Sequence, residues 1–471
     1  MPSRQVFQLH PSGWEAGPNE ERFKVSIIDR TPVTTYTQYV VYFRVDDADK
    51  DQAVDVLKAG LEKTLSQAKY FCATIEKDPE GGHSFVKKKD TTVKFVFQRL
   101  DLPEDEYPSL DEVEAAYFSA RSLGDANIWG MTWGERPEAD PDCSPVVAAY
   151  QVNLIKGGIV FSMHCHHYAG DVMGWNNFTH QLADNCYAIC KSTPSPSWDP
   201  ACIDASRFVK DLPEDQLVDG PPTPQRHPDH PEQQAVLFHL PTSKADELKR
   251  RALPEESGSQ WISMYDAMCA YIWRLLTRTR AEFYKPDLSQ KLYWGEAINM
   301  RPRLHNPPVP ERMMRAIVAG GFSDSHPETA MTIGEVIEGA SLYKMASYIR
   351  SLTESCTEKH LEGLVDLIAS IRDKRSISLR VDAHPPMSMF VTDHRSGDVT
   401  SFDFGFAKPI TYRFLWGESI TAGLILIYAP LRPSPNPDEG CMFTVTMEKD
   451  LVPKLREDPE WSEFFEYRGV D

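Results

Sequence analysis

Several things are missing from this chain, and each gap removes a class of function. No apolar run is long enough to cross a bilayer; the longest, AGLILIYAPL from Ala422 to Leu431, has the length of a buried strand. The amino-terminal MPSRQVFQLHPSGWEAG holds no continuous apolar stretch of the kind that directs secretion, so a cytoplasmic protein without membrane attachment is expected. Excess positive charge is absent: 50 Lys and Arg face 69 Asp and Glu, a net charge of −19, which argues against nucleic acid or an anionic surface as a general partner. The nine cysteines are odd in number and form no CxxC pair, so reduced thiols are expected rather than a disulfide framework. Cys186 and Cys190 are spaced to share a helix face, but no histidine pair completes a zinc set beside them.

What is present is ample core material. Apolar residues make up 41% of the 471 positions and aromatics 11%. Single cores stop growing near ~250–300 residues, so two domains are expected. The β-branched and aromatic run TTYTQYVVYFRV (34–45) predicts a strand. Val54, Leu57, Leu61, Leu65 and Ala68 then follow helical spacing, with Asp51 as a cap. HSFVKKKDTTVKFVFQRLD reads as one hairpin, and PVVAAYQVNLI-KGG-IVFSMHCH as another. A helix is predicted over 175–190. The segment DLPEDQLVDGPPTPQRHPDHPEQQ is too rich in proline for helix or sheet interior and marks a crossover. Beyond it, a strand at AVLFHLP and helices resume, with two more helices in 328–375. Strands are predicted at SISLRV, SMFVTD, ITYRFLW, GLILIYAPL and CMFTVTM, and a closing helix over 448–465. The expected organisation is an α/β (α+β, two-layer) protein: an N-terminal domain over 1–212, the crossover over 213–234, and a C-terminal domain over 235–471.

The segment HCHHYAGD (164–171) concentrates the chemistry, with three histidines in four positions and an aspartate after them. On an extended strand Ile159, Phe161, Met163, Cys165 and His167 share one face, while Val160, Ser162, His164 and His166 share the other. His167 ends an apolar row. Burial there disfavours the imidazolium, leaving a neutral ring able to accept a proton. Gly170 suits a turn returning Asp171 toward the histidine. Two readings compete with the general base: an inert core histidine, and a metal held by His164 and His166. The positions that would complete a binuclear zinc pattern hold Tyr168 and Ala169.

HHYAGD followed by SFDFGFAKP (401–409) resembles the BAHD acyltransferases, in particular their fungal trichothecene 3-O-acetyltransferase-like branch, which carry HxxxD near mid-chain and DFGWG near the C-terminal end. The likeness spans the chain length, the Pro-rich crossover and AINMRPRL (297–304). HHxxxD is also similar to peptide-synthetase condensation domains, which usually place glycine after the aspartate where Val172 stands here. DFG alone also suggests a protein kinase, which the lack of a Gly-rich phosphate loop and an HRD-type loop excludes.

The resemblance implies two chloramphenicol-acetyltransferase-like domains packed around a central solvent channel. His167 would be the general base for acyl transfer, acetyl above all, from acyl-CoA to a hydroxyl of an apolar secondary metabolite. No metal and no bound cofactor is implied, CoA being a co-substrate, and a monomer is the family default. Asp171 would pair with an arginine, Arg301 before Arg303, and shape the loop rather than complete a triad. Asp403 and Gly405 would be structural. Met314-Arg315 stand where relatives carry Gly-Asn, which implies either drift on a surface strand or a recharged channel with Arg315 meeting a CoA phosphate. His394 replaces a site-facing tryptophan, as an oxyanion donor or, the reading preferred on exposure, as a solvated loop residue. Trp175 is a candidate channel residue and Lys408 a candidate CoA contact. Two other functions stay open: a CoA-independent cyclase, isomerase or eliminase using His167, and a binding protein without catalysis.

Overall fold

The computed structural model describes the chain except residues 1–3, 80, 125–138, 255–260, 417–419, 432–433 and 435. In its first part run β1 (Arg4–Leu9), β2 (Glu20–Lys24), β3 (Tyr36–Arg44), α1 (Lys50–Gln67), β4 (Thr74–Lys77), β5 (His83–Lys88), β6 (Val93–Arg99), α2 (Leu110–Ala115), β7 (Ala148–Ile155), β8 (Gly158–His166) and α3 (Val172–Lys191). After the Pro-rich crossover come β9 (Gln233–Leu240), α4 (Thr242–Arg251), α5 (Met264–Tyr284), β10 (Trp294–Asn299), β11 (Val318–Phe322), α6 (Leu342–Ser355) and α7 (Glu358–Ser370). β12 (Met389–Asp393), β13 (Pro409–Phe414), β14 (Leu424–Ile427), β15 (Cys441–Glu448), α8 (Val452–Glu457), α9 (Pro459–Phe464) and β16 (Glu466–Val470) complete it.

Two mixed sheets organise these elements, the first in the order β1-β6-β7-β8-β3-β13 and the second in the order β11-β10-β12-β14-β15-β9-β16. A small third sheet runs β2-β5-β4. β3 is buried along nearly all its length because it lies between β8 and β13. β13 comes from the late chain, so one element of the C-terminal half is built into the sheet of the N-terminal half. On one face of the first sheet α1 and α3 lay down Leu57, Leu61, Leu65, Phe178 and Leu182 against Val41, Phe161 and Met163. The two helices touch at Gly60, where an added Cβ would come within 2.3 Å of Cys186 Sγ. The second sheet packs its core on α5 through Ile272, Trp273 and Leu276.

Four local expectations are corrected. Residues 83–101 do not form a hairpin: β5 pairs with β2 and β4, while β6 crosses to the first sheet between β1 and β7. Alternating apolarity sets a strand's faces but not its partner. SISLRV is not a strand; Lys374–Ile377 and Val381–Ala383 are short 3-10 turns, and Leu379 makes a single bridge to Pro32. The closing helix is split at Asp458, since the residue before Pro459 is driven out of helical geometry and Asp458 instead caps α9. The cap position of α1 is Asp49, not Asp51, which bonds Arg99.

One buried carboxylate in this frame has no ion pair among the described residues. Glu296 on β10 is 1% exposed and accepts hydrogen bonds from Tyr265 (2.7 Å) and Thr353 (2.5 Å), tying α5 and α6 to the second sheet. Burial pushes its carboxyl up to about 7, against the opposing effect of those two hydroxyls. A carboxyl whose folded pKa is raised keeps its proton while the unfolded chain loses it. Native stability therefore declines as pH rises from the ordinary glutamate range to about 7, by up to roughly 3 kcal/mol. Glu296→Gln keeps the acceptor and removes the charge. Its stability advantage in urea unfolding is expected to be absent at pH 4, to grow between pH 5 and 7, and to level off above; a pH-independent difference would refute this account.

Candidate active site

Strand alternation holds along β8. Phe161, Met163 and Cys165 enter the core beneath α1 and α3, and Val160 enters the cluster on the opposite face. The strand ends at His166, and a 3-10 turn, His167–Ala169, follows. His166 has both ring nitrogens occupied: Nε2 donates to the Ala139 carbonyl (2.7 Å) and Nδ1 accepts the Tyr168 N–H (3.1 Å). Such a ring has no lone pair left for a metal, and among the described residues no group of three His, Cys, Asp or Glu side chains gathers to hold one. His164 is sealed in the sheet, with neither nitrogen partnered among the described residues. Burial brings His164 down to about 3 and His166 to about 4, so both are neutral.

The backbone N–H of His167 donates to the Thr35 carbonyl (2.8 Å), which fixes the turn against the segment leading into β3. Its Nδ1 is enclosed. Burial lowers its pKa below the ordinary histidine value; the nearby carbonyls of His167 and Gly170 and the charge of Asp171 oppose this without reversing it. His167 is partly accessible, and what it faces is a cavity of about 260 Å³ between the two large sheets, which leaves Nε2 as the open nitrogen. The segment 31–39, the head of α3 and strands β10, β12 and β14 form its walls, with Phe414, Leu415 and Trp416 closing one side.

Asp171 is the N-cap of α3, and its carboxylate is saturated. Oδ1 accepts the Gly174 N–H (2.8 Å) and Arg301 Nη2 (2.9 Å); Oδ2 accepts Arg301 Nη1 (2.8 Å) and the Ile317 N–H (2.9 Å). A carboxylate offers about four acceptor positions, and all are taken. None remains for His167, so the acid of a catalytic triad is not what Asp171 supplies. Burial works against its charge, but Arg301 and the two N–H groups outweigh it and hold Asp171 below the usual carboxylate range. Arg303 instead bonds the carbonyls of Thr353 and Cys356. Gly170 has an extended backbone, so its glycine is needed for proximity rather than for a left-handed turn. A Cβ there would meet the Met314 carbonyl at 2.6 Å, and one at Gly174 would meet it at 2.1 Å.

The remaining candidates divide. Met314 and Arg315 are neither on the surface nor in the cavity. Arg315 is 1% exposed and bonds Asp29 and the Lys24 carbonyl, with its guanidinium over Tyr70 and Phe85. It is therefore unavailable to a CoA phosphate. His394 is not a solvated loop residue: it is 4% exposed, lines the cavity, and shares a 3.2 Å hydrogen bond between Nε2 and the Thr392 hydroxyl. Burial brings it down to about 4. Trp175 does not line the cavity; it stacks at 4.2 Å behind Tyr39, which does. Asp403 accepts the Gly405 N–H (2.8 Å), Phe404 is buried against Phe43, and Gly405 has φ +83° where a Cβ would strike Cys190 and Tyr187 of α3. Lys408 is exposed, outside the cavity lining. Residues not foreseen are Thr35, Thr37, Tyr39, Asn299, Thr392 and Trp416. The polar letters inside the strand run TTYTQY were the available signal, since a strand buried on both faces has no structural need of them.

A family model described as the Transferase family matches residues 15–462. The chain is 52% identical to Acetyltransferase FGR3 of Gibberella zeae, covering 100% of this chain and 95% of that one. It is 24% identical to the trichothecene 3-O-acetyltransferase TRI101 of Fusarium sporotrichioides, over 95% and 97% of the two chains. Among solved structures, F. graminearum TRI101 with coenzyme A and T-2 mycotoxin superposes at a TM-score of 0.77, with 20% identity, over 95% of this chain and 100% of that one. Vinorine synthase follows the same fold at 0.66, with 19% identity and 96% of each chain covered. The fold, the full-length match and the 52% identity agree, and the chain belongs to the Transferase family of BAHD acyltransferases.

Proposed function

We propose that this enzyme transfers an acyl group, acetyl above all, from acyl-CoA to a hydroxyl of an apolar secondary metabolite, with His167 as general base. The observation that carries the reading is a neutral imidazole with one nitrogen open to a cavity walled by Tyr39, Phe390, Phe414 and Trp416. The names of the relatives support it: FGR3 and TRI101 are called acetyltransferases, and TRI101 structures hold coenzyme A with T-2 or deoxynivalenol. In this reading two domains, 1–212 and 235–471, meet across the cavity, joined by the crossover over 213–234, with the second lending β13 to the sheet of the first. Nine free cysteines fit a cytoplasmic setting, and a monomer suffices because one chain supplies the residues of the site.

The proposed steps are these. His167 Nε2 takes the proton as the acceptor oxygen attacks the thioester carbonyl. The tetrahedral oxyanion collapses, the C–S bond breaks, and the departing thiolate recovers the proton from the imidazolium. Base assistance of this kind contributes ~10²–10⁴-fold. Thr392, oriented by His394, is our candidate donor to the oxyanion, a contact of a class worth roughly 2.7–4 kcal/mol. The Met314-Arg315 departure gives no support to a CoA-independent reaction, because Arg315 is committed to Asp29.

Deleting the gene and comparing metabolites by mass spectrometry is expected to reveal a compound lighter by one acetyl group. Purified protein should acetylate it from acetyl-CoA; failure to use any acyl-CoA would overturn the proposal. His167→Ala should cut that rate by about 10²–10⁴-fold while melting like the wild type. For the wild type, kcat/KM should be flat between pH 7 and 8 and fall only below the ordinary histidine value, since the base must be neutral and its pKa is lowered. Asp171→Asn is expected to act through the fold, with urea unfolding showing a loss of about 3–5 kcal/mol. An Asp171→Asn protein of native stability and no activity would instead give this carboxylate a chemical role.

A further inference from the structure

The first two residues of α3, Val172 and Met173, line the cavity together with His167, and neither is used in the steps above. Their placement is fixed from both sides. Asp171 caps the helix and bonds Gly174, and Gly174 rests on the Met314 carbonyl, too close for any Cβ. α3 therefore cannot turn about its axis, and positions 172 and 173 stay toward the cavity. Side chains in a helix lean toward its N-terminus, so those of the first turn lean back over the turn that carries His167. Val172 is β-branched and stiff, and it is packed on the apolar core behind it. The cavity, about 260 Å³, is small for a site that must hold an acyl group, a thioester and part of an acceptor.

We infer that Val172 and Met173 form the wall that ends the acyl pocket and so set the length of the acyl chain the enzyme accepts. The inference rests on the acyl-CoA reading above and adds the residues that choose among donors. The carbonyl carbon must lie beside His167, and a chain longer than acetyl would extend from it into this wall. One extra methylene against a close-fitting apolar wall is worth about 10–200-fold in discrimination.

The test needs no acceptor. S-ethyl-, S-butyl- and S-hexyl-CoA thioethers are titrated calorimetrically into the full-length protein, and the ratio of their dissociation constants is read. Wild type is expected to prefer ethyl- over hexyl-CoA by at least about tenfold, and Val172→Ala/Met173→Ala to reduce that ratio by about tenfold. A wild-type ratio near one, or a ratio the double variant leaves unchanged, overturns the inference. If that variant does not fold, Val172→Leu, which fills the wall instead, must weaken ethyl-CoA relative to CoA itself by about fivefold or the inference fails. A wild type that binds neither CoA nor ethyl-CoA is a separate outcome, which sinks the acyl-CoA reading and this inference with it.

Discussion

Four hydrogen bonds to one carboxylate hold this site together. Asp171 stands at the junction of the histidine turn and α3, and its partners come from its own helix, from Arg301 after β10 and from Ile317 before β11. These bonds tie the His167 turn and the head of α3 to the segment that leads into β11 of the second sheet. Burying this pair has a desolvation cost that Coulomb attraction alone does not reliably offset; the full set of directional bonds does. That saturation is also why the aspartate of HxxxD, so suggestive of a triad, has no capacity left to orient the imidazole.

A second carboxylate completes the arrangement from the other side. Asp29 accepts the N–H groups of Ser26 and Ala316 and the guanidinium of Arg315. The segment 313–317 is thus gripped by two buried acids, while its carbonyl at residue 314 presses on Gly170 and Gly174. Met314-Arg315, which the family likeness marks as a departure, is accommodated in this way. Arg315 has a dedicated partner and two aromatic faces, so its charge is consumed in the framework and none reaches the cavity.

Legibility in the sequence followed distance along the chain. The β7–β8 hairpin and α3 are local patterns, and they could be read because strand alternation and helix period act over a few residues; HxxxD and the turn at Asp403-Phe404-Gly405 were read through family likeness. Arg301 was reachable only through family likeness, 130 positions from Asp171. The pairing of Arg315 with Asp29 and the burial of His394 had no local mark at all. Both depend on tertiary crossings: Arg315 reaches Asp29 across 286 positions, and the entry of β13 into the first sheet stacks Tyr412 on His394 and places Phe414, Leu415 and Trp416 over the cavity. The false hairpin at 83–101 failed for the same reason, since periodicity assigns faces while partners are settled by the whole chain.

The proposed choice of His167 as base turns on access, because folding has neutralised all four histidines in this region. His164, His166, His167 and His394 all have pKa values below the ordinary range through burial, so proton affinity does not single one out. Access does. His164 is locked in the sheet, His166 has spent both nitrogens on backbone groups, and His394 has its Nε2 on Thr392 and its Nδ1 enclosed. β8 ends at His166, and at residue 167 the chain breaks into a 3-10 turn that leaves the ring facing the cavity. Among these four rings the choice is made by where a strand stops, and Asp171 with its four bonds determines where the chain goes next.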